Sequence, residues 1–176
     1  MLYRFLAAAV GLSLGAFSLA APAQAKDKSR LMLGVGVYGF GVASDPNQLE
    51  VRATYRFQQG IFGTEGAFRG FKPIVGAAGH SSGSLFGYVG LAAPFVWGEN
   101  DRWEAVLEGG PGVYKQGNSS LNLGGTFEFH VAAQVSYQLT DRGRLGLGIY
   151  HISNANVHRK NPGVNSILAS WSILFP

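Results

Sequence analysis

Phe127–Leu139 reads FEFHVAAQVSYQL. One set of alternate positions carries Phe127, Phe129, Val131, Ala133, Val135, Tyr137 and Leu139; the other carries Glu128, His130, Gln134, Ser136 and Gln138. A period of two is the pattern of a strand with one apolar and one polar face. Leu49–Phe57 repeats it, with Leu49, Val51, Ala53, Tyr55 and Phe57 set against Glu50, Arg52, Thr54 and Arg56. Near the end of the chain, Ile167, Ala169, Trp171, Ile173 and Phe175 alternate with Ser166, Ser170 and Ser172.

A soluble β-sandwich alternates too, so two further features decide the class. The polar face carries charges, with Glu104 and Glu108 joining Glu50, Arg52, Arg56 and Glu128, and the apolar face is aromatic-rich and recurs on most strands. A transmembrane barrel needs that arrangement, apolar toward lipid and polar inside. Closing the sheet satisfies every backbone N–H and C=O within the bilayer. The 26 glycines suit a small, strongly curved barrel. The fold class expected is therefore all-β, an eight-stranded antiparallel transmembrane β-barrel. Its strands fall at about 31–42, 48–58, 66–79, 84–97, 103–115, 124–139, 144–154 and 164–175. Pro73 and several glycines interrupt the third. An even strand number puts both chain ends on the periplasmic side. The connections at 43–47, 80–83, 116–123 and 155–163 are then extracellular, and those at 59–65, 98–102 and 140–143 periplasmic. Trp97, Trp103 and Tyr137 lie near strand ends, as an aromatic girdle would, or as ordinary packing residues.

The remainder of the sequence fits an exported protein of one domain. Of 176 residues, 47% are apolar and 14% charged, which excludes a disordered acidic chain or a highly charged helical one. No cysteine is present, so neither a disulfide framework nor a thiolate zinc site is available. The net charge of +4 is not clustered as a nucleic-acid groove requires. Arg4, the uncharged apolar stretch Phe5–Ala20 and Ala23-Gln24-Ala25 followed by Lys26-Asp27-Lys28 read as a secretory signal peptide cut after Ala25. A membrane-anchoring helix is the competing reading, disfavoured by the short apolar core. The domain division is thus 1–25, signal peptide, and 26–176, barrel.

Eight strands leave room inside for side chains and little more. Glu50, Arg52, Arg56, Glu104, Glu108, Glu128 and His130 are expected to fill the lumen as a structural network of ion pairs and hydrogen bonds, because lone buried charges are very costly.

The seventh strand departs from its own pattern. Its outward face runs Leu145, Leu147, Ile149 and then His151 and Ser153, while Gly146, Gly148, Tyr150 and Ile152 face inward. A lipid-facing row that ends in polar residues requires an explanation. One is a serine nucleophile with its imidazole base, on residues two apart on one face. The other is simple hydrogen bonding to lipid headgroups.

The longer stretch Tyr150–Asn165, YHISNANVHRKNPGVN, resembles the signature of the outer-membrane lipid A 3-O-deacylases, the PagL family, in which a His-x-Ser-Asn-Ala segment and a short loop precede Asn-x-Gly-x and an acidic residue. The match covers His151, Ser153, Asn154, Ala155, Asn161 and Gly163. The resemblance implies a serine esterase that removes the 3-hydroxyacyl chain from the 3-position of lipid A in the outer leaflet. It implies Ser153 as nucleophile, His151 as base and Asn154 as an oxyanion residue. The family's acidic position is occupied here by Asn165, whose carbonyl can hold the imidazole tautomer but supplies no full charge. No acidic residue follows Asp141, so the activity level is open.

His158, Arg159 and Lys160 make the last extracellular loop basic, either to orient the phosphates of lipid A or as a general feature of a surface facing lipopolysaccharide. Arg159, Lys160 and Gly163 are the expected substrate-binding residues, with Pro162 and Gly163 also reading as turn residues. No metal or organic cofactor is expected. The expected partners are lipid A within lipopolysaccharide, outer-membrane lipid and a second copy in a homodimer, with no nucleic acid. A non-catalytic structural or adhesive barrel and a lipid A acyltransferase remain as alternatives. Barrels of this kind commonly finish on an aromatic residue; here Pro176 follows Phe175.

Overall fold

The computed structural model describes residues 28–41 and 47–175. The expected signal peptide, positions 43–46 of the first extracellular connection and Pro176 lie outside them. Eight strands follow one another as β1 (Ser29–Tyr38), β2 (Gln48–Arg56), β3 (Lys72–His80), β4 (Leu85–Trp97), β5 (Trp103–Lys115), β6 (Phe127–Gln138), β7 (Gly143–Ser153) and β8 (Val164–Phe175). A 3-10 turn, Glu99–Asp101, joins β4 to β5. Each strand pairs antiparallel with the next, and β1 pairs with β8 from Ser29–Phe175 to Tyr38–Ser166, so the sheet closes into a barrel. Closure leaves no strand edge to be satisfied by water.

The alternation read from the sequence is the alternation of the wall. Glu128, His130, Ala132 and Ser136 of β6 are buried, while Val131 and Val135 face out. On β7 the outward Leu145, Leu147 and Ile149 are each more than half exposed to the surroundings, which for this wall means lipid. Trp97, Trp103 and Tyr137 sit on the outer face near the periplasmic end, with ring centroids 6.2 Å and 4.9 Å apart along the row. Two glycines permit the tight curvature. A Cβ on Gly36 would stand 2.0 Å from Ile167 O, and one on Gly110 would stand 2.1 Å from Val89 O.

The lumen is filled in layers. Toward the extracellular end it is aromatic and aliphatic, with Tyr38, Phe86, Tyr88, Tyr114, Ile152 and Val164. In the middle the Arg52 guanidinium lies over the Tyr150 ring at 4.3 Å and pairs with Glu50 at 2.7 Å, and Ser166 Oγ donates to Glu50 at 2.5 Å. At the periplasmic end Glu104 pairs with both Arg30 and Arg56, the latter at 3.0 Å. The expected polar network is therefore present. Glu128 stands outside it, with neither carboxylate oxygen hydrogen-bonded among the described residues, and His130 donates from Nδ1 to Gly110 O at 3.1 Å while its Nε2 has no partner among them.

Glu104→Leu leaves two buried guanidiniums without their shared carboxylate. Removing one member of a buried pair costs about 3–5 kcal/mol. The expected result is a lowered urea midpoint for the reconstituted barrel, read by loss of β-sheet circular dichroism.

Three strand limits differ from expectation by three residues or more. The first strand ends at Tyr38, because Gly39 and Gly41 turn the chain with φ of 86° and 77°. The third begins at Lys72 rather than 66, because Gly70 at φ 82° breaks the ladder. Residues 67–69 still pair with β4 through Phe68–Phe95, on the other side of that break. The sixth begins at Phe127 rather than 124, since the preceding loop turns into the barrel mouth, where Leu121 and Leu123 are buried.

Candidate active site

The site lies where β7 ends and β8 begins. His151 and Ser153 are the last two outward residues of β7, and both are half-buried. Antiparallel register sets His151 opposite Asn165 of β8 and opposite Val131 of β6, and sets Ser153 opposite Phe129. His151 Nδ1–H donates to Asn165 Oδ1 at 2.8 Å. That bond puts the proton on Nδ1 and leaves the Nε2 lone pair free to accept one. Ser153 Oγ makes no hydrogen bond among the described residues; its Cα lies about 6.5–7 Å from that of His151, the repeat of a strand. The hydroxyl is thus uncommitted, beside an imidazole whose other nitrogen is already anchored.

Asn154 has a different position from its neighbour. It is fully buried, and its Nδ2 donates to Leu123 O and to Lys160 O, each at 2.7 Å. Its backbone N–H donates to Asn161 Oδ1 at 3.0 Å. These three bonds use every N–H that Asn154 has, so in this arrangement it is a clasp between the β5–β6 and β7–β8 loops. Gly124 and Gly125 complete the contact. A Cβ on Gly124 would lie 1.9 Å from Lys160 O, and one on Gly125 would lie 2.1 Å from His158 Nε2. Ala155 and Asn156 follow with left-handed φ of 50° and 65°, which bends the chain sharply away from the strand.

Gly163 is buried at φ 61°, and a Cβ there would stand 2.8 Å from His151 Cε1 and 3.2 Å from Nε2. Its place is therefore against the imidazole, on its Cε1–Nε2 edge. Arg159 and Lys160 are exposed at the loop tip, with only the Lys160 carbonyl tied down. The structure thus brings together His151, Asn165 and Gly163, sets Ser153 two residues along on the same outward face with no hydrogen bond to His151 among the described residues, ties Asn154 to both loops behind them, and leaves Arg159 and Lys160 facing outward. The clasp to Leu123 was not anticipated from the sequence. Its signal was the apolar pair Leu121 and Leu123 inside an otherwise polar extracellular loop, followed by Gly124-Gly125.

Two substitutions separate support from chemistry. Gly163→Ala costs the left-handed conformation about 1–3 kcal/mol locally and crowds Nε2. Asn154→Ala takes the donor from Leu123 O and Lys160 O and frees the loops, and a displacement of about 1 Å at a reacting group costs about 10²-fold in rate. Both variants are expected to insert and fold, read by heat-dependent gel mobility, while the lipid A deacylation that the sequence motif implies falls, read by mass spectrometry of lipid A.

The family model for lipid A 3-O-deacylase (PagL) matches residues 47–173, which contain every residue of this site. The chain belongs to the PagL family. The crystal structure of the outer membrane enzyme PagL superposes with a TM-score of 0.65 at 15% identity, covering 83% of this chain and 99% of that one. A de novo designed transmembrane β-barrel gives 0.57 at 13% identity, covering 86% and 98%. Neisserial surface protein A gives 0.53 at 15% identity, covering 84% and 96%. At such identities these likenesses speak for the fold alone. No curated protein matches the chain. PagL membership together with the closed barrel places the protein in the bacterial outer membrane.

Proposed function

We propose that the protein hydrolyses the ester holding the 3-hydroxyacyl chain at the 3-position of lipid A, with Ser153 as nucleophile and His151 as general base. The observation that carries this reading is the 2.8 Å bond from His151 to Asn165 on the lipid-facing wall, two residues from an unbonded serine hydroxyl. A polar pair that merely met headgroups would not need its imidazole held in one tautomer.

Lipid A reaches such a site by lateral diffusion in the outer leaflet. His151 Nε2 takes the Ser153 proton as Oγ attacks the ester carbonyl. The tetrahedral oxyanion requires donors, and the backbone N–H groups of Ala155 and Asn156 are the nearest along the chain with no hydrogen bond among the described residues. The imidazolium returns its proton to the departing sugar oxygen, and water from the headgroup layer hydrolyses the acyl-enzyme. Arg159 and Lys160 serve as the phosphate-facing residues of the loop. Residues 1–25 act as the export signal in this reading.

Hydrolysis is favoured over acyl transfer through an internal pocket by the filled lumen. The mid-lumen cavity beside Glu104, Glu108 and Met32 holds about 20 Å³, the room of a water molecule and not of an acyl chain, and the wider opening of about 310 Å³ at the periplasmic end is lined by the charged Arg30, Arg69, Asp101, Glu104 and Arg144. The test is mass spectrometry of lipid A and of released fatty acid from cells expressing the wild type. Loss of one hydroxyacyl group with free hydroxy acid supports the proposal. Gain of a chain on lipid A points to a transferase, and unchanged lipid A with confirmed insertion points to a non-catalytic barrel.

A further inference from the structure

At the periplasmic end, residues 57–71 continue the wall as an ordered hairpin. Phe57 N–H still donates to Pro73 O at 3.0 Å, and Ile61 and Phe71 exchange both backbone hydrogen bonds, at 3.0 and 2.9 Å. The returning arm also bonds to β4, through Arg69 N–H to Pro94 O and Val96 N–H to Ala67 O, each at 2.9 Å. A periplasmic turn of a small barrel is ordinarily short. This one is fifteen residues and contains Phe57, Ile61, Phe62, Phe68 and Phe71.

The hairpin has two unlike faces. Phe57 and Phe71 prolong the outward rows of β2 and β3, and the Phe68 ring lies 5.4 Å from Phe71 and 5.1 Å from Phe95 of β4. Gln59, Thr64 and Glu65 are exposed, and two contacts tie the hairpin back to its neighbours, one of them from Lys72 at the start of β3. Arg69 pairs with Asp101 at 2.6 Å, and Lys72 Nζ donates to Gln58 O at 2.7 Å. At the tip Phe62 is 66% exposed with φ 58°, and Ile61 beside it is also exposed. A bulky residue in the left-handed region is strained. An aromatic side chain held there in water recovers nothing.

We propose that this hairpin is a membrane-docking surface whose occupant is inner-leaflet phospholipid, with Phe62 and Ile61 seated among the acyl chains just below the headgroups. Continuity selects that occupant. Ile61 pairs with Phe71, and from Phe71 the rings run through Phe68 to Phe95 on the lipid-facing wall. Aromatic side chains favour that depth of a bilayer, and burial of the two tip side chains offsets the backbone strain. The hairpin then fixes the vertical position of the β2–β4 sector, on the far side of the barrel from β7.

The chain has no cysteine, so a single spin label is unambiguous. Phe62→Cys carrying a nitroxide is reconstituted in phosphatidylethanolamine–phosphatidylglycerol vesicles, beside Val75→Cys on the outer face of β3 and Asn100→Cys in the β4–β5 turn. The expected result is that the Phe62 label collides readily with oxygen and poorly with a water-soluble nickel chelate, as the Val75 label does. A Phe62 label as open to nickel as the Asn100 label overturns the proposal. Ile61→Cys, read against the same two limits, guards against an effect of the label itself. Neither position touches Ser153 or His151, so the outcome is independent of whether the protein is an esterase.

Discussion

Cells expressing Ser153→Ala are expected to retain every 3-O-linked hydroxyacyl chain on lipid A, whereas cells expressing the wild type lose one per molecule. In the proposed reaction the alanine removes the nucleophile that forms the acyl-enzyme. Deletion of a serine nucleophile leaves what binding and oxyanion donors contribute by themselves, so the loss is at least about 10³-fold. The barrel itself loses nothing, because Ser153 Oγ makes no hydrogen bond among the described residues and ends an outward row. His151→Ala is expected to match it, since residues acting as one unit give non-additive losses. The double variant then falls no further. Equal deacylation by wild type and Ser153→Ala, with both proteins inserted, would show that the chemistry belongs elsewhere.

Asn165 is the second large lever, and its effect runs in the opposite direction. Asn165→Glu is expected to raise turnover about tenfold. Oδ1 already fixes the tautomer, so the variant adds charge rather than geometry. A hydrogen bond to a charged group contributes about 1.5–3 kcal/mol net, against about 1 kcal/mol for a neutral one. The difference of about 1.4 kcal/mol corresponds to tenfold in rate. The 10⁴-fold penalty known for exchanging acid for amide in a buried serine-protease triad does not transfer, because there the amide presents the wrong tautomer. Here the amide oxygen faces the ring, and Asn165 is exposed, so solvent screens part of the added charge. Asn165→Leu completes the series. It removes the acceptor and frees the ring, and turnover is expected to fall about 10²-fold. Wild-type turnover in Asn165→Leu would show that the 2.8 Å bond plays no part in catalysis.

The outward pairing of His151 and Ser153 was legible because parity on a strand is strict. Once Leu145, Leu147 and Ile149 face lipid, residues 151 and 153 must follow. The opposition of Asn165 to His151 follows from the same parity across one loop. Gly163 was legible as a turn residue and not as the neighbour of the imidazole, since contact between a loop and a strand depends on how the loop folds back. Asn154 was read through its motif as an oxyanion residue. Its bonds to Leu123 O and Lys160 O come from a segment thirty-one residues away and from its own loop, and no local pattern announces such a contact.

Alternation, composition and turn residues by themselves determined the barrel class, the eight strands and the side of the wall each residue occupies, because a two-residue period leaves each side chain one of two faces. Only the closed tertiary structure decided which charges pair inside, where Gly70 breaks the third strand, and that the loop around Leu123 plugs the mouth and holds the β7–β8 loop. Those outcomes depend on shear, on loop path and on contacts between strands distant in the chain, and their energies come from burial and hydrogen-bond satisfaction summed over the whole cylinder rather than from any local stretch.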